Sequence, residues 1–90
     1  MKLSYDSANN DANIEKHGLS LAEAKLLEWD TALGWIDGRK NYGEERRVAL
    51  ALMKQRLYCI VYVELKIGIR VISLRKANIR EVERYEKENN

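Results

Sequence analysis

The 90-residue chain contains no proline and no phenylalanine, and it has a single cysteine and a single histidine. With only Cys59, no intramolecular disulfide can form. Cys59 and His17 together are also too few for a structural zinc set, so a reducing compartment and no metal are expected. No apolar run approaches the roughly 18 residues of a membrane span, and the N-terminal MKLSYDSANND lacks the apolar stretch of a secretory signal. These absences point to a cytoplasmic chain with no membrane partner. The P-loop, the GxGxxG turn, the HExxH pair and the nucleophile elbow are also missing, which removes the usual reasons to expect a cofactor.

Charge of one sign is scarce as well. Sixteen Lys and Arg stand against fourteen Asp and Glu, a net charge of +2, which does not announce a nucleic-acid binder. Its distribution is uneven: residues 1–65 carry nine basic and ten acidic groups, residues 66–90 seven basic and four acidic. The spare positive charge therefore sits at the C-terminal end, where it can draw in a polyanion or an acidic partner. Leu, Ile and Val together number 23, too many for a disordered chain. At this length one domain, residues 1–90, is expected, with a core that leaves over a third of the unfolded-chain surface exposed.

The local signals place helices before strands. Lys2 to Tyr5 reads as a short edge strand, and Asp6 as the N-cap of a helix from Ser7 to Lys16 that stops at His17-Gly18. Ser20-Leu21-Ala22-Glu23 is a capping box, with Leu19 as its staple, and predicts a second helix reaching about Trp29. Thr31 to Ile36 reads as a strand and Asp37 to Gly43 as a loop. Arg46 to Met53, Leu57 to Glu64 and Ile69 to Leu74 alternate as strands, joined at Lys54-Gln55-Arg56 and at Lys66 to Gly68 into an antiparallel β-meander. A final helix over Ala77 to Lys87 has a narrow apolar stripe of Ile79 and Val82 and is expected to dock weakly. The predicted class is α+β, with two N-terminal helices and a C-terminal helix on an antiparallel sheet.

Three clusters could bind phosphate or move protons. Alternation puts Tyr58, Tyr62 and Glu64 opposite the apolar Leu57, Cys59, Val61 and Val63. Arg70 on the same face as Tyr62 and Glu64 would give a phenol, a carboxylate and a guanidinium able to hold a phosphodiester. Arg75-Lys76 opens the last helix, where free backbone amides add to the two cations. Strict alternation sends Arg70 and Arg75 to opposite faces, so a shared site needs a bulge or a strand end between them. His17 can act as acid or base near neutrality, or simply bond the last carbonyls of its helix.

Taken in order, Asn13-x-x-Lys16-His17-Gly18, Tyr42-Gly43-Glu44-Glu45-Arg46, Tyr62-x-Glu64, and Ile69-Arg70-x-Ile72-Ser73-x-Arg75-Lys76-Ala77 followed by Arg80, Glu83 and Tyr85 resemble the BrnT family. These are the small ribonuclease toxins of type II toxin-antitoxin systems. Leu74 stands where that family commonly has Ala, Asn78 where Thr is usual, and Ala51 near a frequent Gly. The resemblance implies a RelE-like fold and a metal-independent endoribonuclease that inhibits translation and growth. It also implies neutralisation by a BrnA antitoxin with a ribbon-helix-helix domain, and operator DNA bound only through the toxin-antitoxin complex. On this reading Arg70 and Arg75 stabilise the scissile phosphate, Arg46, Lys76 and Tyr62 hold the RNA backbone, and His17, Glu64 or Tyr85 transfer protons. The alternative is a non-catalytic nucleic-acid-binding or protein adaptor module whose basic end docks an acidic partner.

Overall fold

A computed structural model describes residues 2–38 and 43–89. Tyr42 of the second motif, and residues 39–42 of the expected loop, lie outside them. Asp6 caps the first helix, α1 (Ser7–His17), by accepting from the Ala8 and Asn9 amides, and Gly18 ends it at φ 72 in the left-handed region that glycine enters without strain. The capping box at Ser20 and Glu23 also forms, but the turn it opens is a 3-10 helix, Leu21–Leu26, followed by a second one at Trp29–Thr31. This corrects the expected α-helix to Trp29. The buried side chains here are Leu21, Ala24 and Leu27. A spacing of three lines up along one edge of a 3-10 helix, whereas an α-helix would turn the third of them away.

Five strands follow from the pattern: β1 (Lys2–Tyr5), β2 (Leu33–Ile36), β3 (Arg47–Met53), β4 (Arg56–Leu65) and β5 (Gly68–Lys76), in sheet order β1-β5-β4-β3-β2. The meander β3-β4-β5 is antiparallel as expected, but the sheet is mixed, because β1 pairs with β5 in parallel, Lys2 opposite Gly68 through Tyr5 opposite Val71. Gly68 permits that contact: a Cβ there would lie 1.9 Å from the Lys2 carbonyl oxygen. The β3-β4 hairpin turns on Lys54 and Gln55 alone, both at positive φ, as a two-residue turn matching the strand twist requires.

One face of the sheet packs Ala49, Ala51, Met53, Tyr58, Ile60, Ile69, Val71 and Leu74 against Leu21, Ala24 and Leu27 of the 3-10 segment. The other packs Val48, Leu50, Leu57 and Cys59 against Ala77, against Val82 and Tyr85 of the last helix, α2 (Ile79–Glu88), and against Leu33 and Trp35. Tyr58, read from alternation as part of an open polar face, is buried in the first of these layers. β1 accompanies β5 only as far as Val71. Beyond it, buried Asn13 of α1 takes the place of a strand. Its Nδ2 donates to the Leu74 carbonyl at 2.8 Å, its Oδ1 accepts from the Leu74 amide at 3.0 Å, and Nδ2 also reaches the Leu19 carbonyl at 2.9 Å. A buried strand edge with no neighbour would otherwise leave those backbone groups unpaired.

Candidate functional site

The β4-β5 ladder contains the irregularity that decides the site. Val61 pairs with Ser73 and Tyr62 with Val71, so Ile72 is an extra residue in β5 with no partner in β4. Below this bulge the alternation of β5 changes phase. Arg70, opposite Val63, and Arg75, opposite Cys59, therefore share a face, with Ser73 between them. Their partners on β4 are four residues apart, which separates the two arginines by about 13 Å along the strand.

That face is opposite the one expected for Arg70. Tyr62 and Glu64 pair with Val71 and Ile69 and point to the 3-10 side, so the trio of Tyr62, Glu64 and Arg70 does not form. Tyr62 meets Trp29 edge-on at 5.4 Å between ring centres, and its burial, with the Glu64 charge nearby, pushes its phenol above the usual value of 10.0. Glu64 pairs with Arg47 at 3.1 Å. Lys76 lies opposite Tyr58, exposed at the strand end on that same side. Tyr85, on the inner side of α2, donates its hydroxyl to the Thr31 carbonyl at 3.0 Å.

Around Arg75 the sheet forms the floor of a cavity of about 500 Å³. Val48, Cys59, Val61, Ile72 and Trp35 supply its apolar surface, Lys16 and His17 of α1 line one wall, and Glu81 of α2 lines another. Asn13 sets α1 at this distance from β5, and through it Lys16 and His17 at the end of that helix. The Arg75 guanidinium meets the Glu81 carboxylate with both terminal nitrogens, at 2.8 and 2.9 Å, in the fork geometry that makes such pairs strong. The Arg75 hydrogen bond is the main reason the Glu81 carboxyl sits below its ordinary 4.5, against the opposing effect of burial. Glu81 also accepts from the Asn78 amide while Asn78 accepts from the Glu81 amide, a capping box that starts α2.

At the other end of the same face, Glu44 bridges Arg70 and Arg46, at 2.5 and 3.4 Å. The Arg70 hydrogen bond again holds this carboxyl below its usual range. Arg70 and Arg75 thus lie on one sheet face, each with a carboxylate at its tip. An apolar floor, guanidinium groups 13 Å or so apart, an imidazole and an ammonium suit a polyanion whose bases or sugars have apolar faces. Among the described residues, no group of three or more His, Cys, Asp and Glu side chains is placed to hold a metal ion, and no helix is long and apolar enough to cross a membrane.

The structure places Arg75 and His17 of the expected set in one cavity, sets Arg70 and Arg46 around Glu44 at the far end of the same sheet face, and leaves Glu64, Tyr62, Lys76 and Tyr85 elsewhere. Sequence reasoning gave no site role to Glu81, Trp35 or Ser73. Asn78-x-x-Glu81 carries the capping-box spacing that would have found the first, whereas Trp35 has no local mark of its position. A search among curated proteins finds no match to the chain. A family model described as the ribonuclease toxin BrnT of type II toxin-antitoxin systems matches residues 5–81, from the end of β1 to the carboxylate that clasps Arg75, and the chain belongs to that family.

Proposed function

We propose that the cavity beside β5 is the RNA-cleaving site of this toxin, acting without a metal ion. The observation that carries the reading is the bulge at Ile72, which turns Arg70 and Arg75 to one face, together with His17 on the wall beside Arg75. RNA provides its own nucleophile. The 2′-hydroxyl attacks the adjacent phosphorus, its proton passes to a base, and the 5′-oxygen leaves with a proton from an acid, giving a 2′,3′-cyclic phosphate. Arg75 stabilises the charge on the phosphorane, Arg70 and Arg46 hold a neighbouring phosphate, and Lys16 adds positive charge. His17 carries one of the two protons. Glu64, Tyr62 and Lys76, on the other face, serve the stability of the sheet rather than the reaction, and Tyr85 anchors α2.

On the same reading the chain is a single RelE-like domain working in the cytoplasm, where its cleavage of RNA stops translation and growth. The partner is a BrnA-type antitoxin with a ribbon-helix-helix domain, and operator DNA is bound only through that complex. Expression without antitoxin should arrest growth. Purified protein should cut RNA in EDTA to fragments with cyclic or 3′-phosphate ends, and Arg75→Ala should slow cutting by about 10²- to 10³-fold, the cost of removing one donor to a developing oxyanion. Unchanged cleavage by folded Arg70→Ala and Arg75→Ala proteins would remove this site.

A further inference from the structure

Trp35 lines the cavity beside Arg75 and His17, yet no step of phosphodiester cleavage calls for an indole. It is half-buried on edge strand β2, opposite Val48, and the guanidinium of Arg84 from α2 lies 4.0 Å from its ring centre. Two flat groups from different elements are thus stacked at the rim of an apolar floor whose other lining includes the cations of Lys16 and Arg75. Every nucleobase has a π-face, and both indoles and guanidinium planes stack on it. A phosphate drawn to Arg75 would bring its attached nucleoside to this rim.

The geometry points to Trp35 and Arg84 as a base-stacking subsite that receives an unpaired nucleobase next to the scissile phosphate of single-stranded RNA. The inference rests on the reading of the cavity as the RNA site. Trp35 supplies the platform, and Arg84 either covers the far side of the base or yields its place on the ring to it. In both cases the subsite demands an unstacked base, so double-stranded RNA, whose bases are stacked on each other, is excluded from it. The preference between bases follows stacking strength rather than hydrogen-bond readout.

The test uses the full chain and an uncleavable 2′-O-methyl oligoribonucleotide, with a set of copies each lacking one base. Loss of one stacked base should weaken binding roughly 5- to 150-fold at one position of the strand and little at the others. Trp35→Ala should show the same weakening on the intact strand and no further loss on the abasic one, while Trp35→Phe retains most of the affinity. Should Trp35→Ala fail to fold, Trp29→Phe leaves Trp35 as the only indole, and its emission should be quenched on binding the intact strand but not the abasic one. An abasic penalty of the same size in Trp35→Ala, or no quenching on saturation, would overturn the subsite. Arg75→Ala separates the two levels: weakened binding there with Trp35→Ala unaffected sinks the subsite alone, and unaffected binding in Arg75→Ala sinks the site and the subsite together.

Discussion

Replacing Asn13 with alanine removes three hydrogen bonds, two of them buried. Leu74 is fully buried, and its amide and carbonyl both depend on the Asn13 side chain, as does the Leu19 carbonyl. A buried backbone group left without a partner costs about 1–3 kcal/mol, and partial relaxation reduces the sum, so a loss of about 3–5 kcal/mol is expected. Against a total stability of about 5–15 kcal/mol this is a large fraction. In a domain of this size it lowers the melting temperature by at least about 12 °C. Asn13→Asp keeps the acceptor for the Leu74 amide but turns a carboxylate oxygen toward two carbonyls, so it should be worse than alanine at pH 7. Urea titration with the slope m held common gives the values. A cost for Asn13→Ala below about 0.5 kcal/mol, or aspartate better tolerated than alanine, would refute the view that this amide stands in for a missing strand. Because the same contact sets α1 beside β5, cleavage should fall further than the unfolded fraction accounts for.

Two more outcomes follow from particular contacts. Gly68→Ala would drive a Cβ into the Lys2 carbonyl, a backbone atom that cannot rotate away, so β1 should detach from β5. Hydrogen exchange should then speed up at residues 2–5 while β3-β4 stays protected, and unchanged protection at β1 would refute the contact. Glu81 has its folded-state pKa held below the ordinary 4.5, chiefly by Arg75, so its contribution is present above that value and is lost as pH falls through and below it. The stability gap between wild type and Glu81→Gln, from urea midpoints, should therefore be widest at pH 7 and narrow on acidification. A gap independent of pH would mean that the pair carries no ionic stabilisation.

Most of the elements were legible because their signals are local. Asp6, Gly18 and the Ser20 to Glu23 box each act within one turn, and the alternation of β3 and β4 is written in consecutive residues. What escaped depends on distance. The parallel pairing of residues 2–5 with 68–71 leaves no trace near either segment except a glycine in what otherwise reads as a turn. A capping box says where a helix starts and not which kind it is; only the spacing of Leu21, Ala24 and Leu27 distinguishes the 3-10 form. The site was half readable. Arg70 and Arg75 are an odd number of residues apart, which on a regular strand forbids a common face, and that conflict was the sign of a bulge. Its position was not legible, and without it Tyr62 and Glu64 were grouped with the wrong arginine.

Glu44 and Glu81 behave as counterions tethered to the chain. A guanidinium that already holds a carboxylate is, seen from beyond a Debye length, closer to a dipole than to a charge, so it gives little long-range pull on any polyanion. Only an anion delivered into contact, with the cavity fitting the rest of the ligand, can exchange with the carboxylate. Binding built this way depends less steeply on salt than the number of arginines suggests. It also spares the chain from adhering along the length of every nucleic acid it meets.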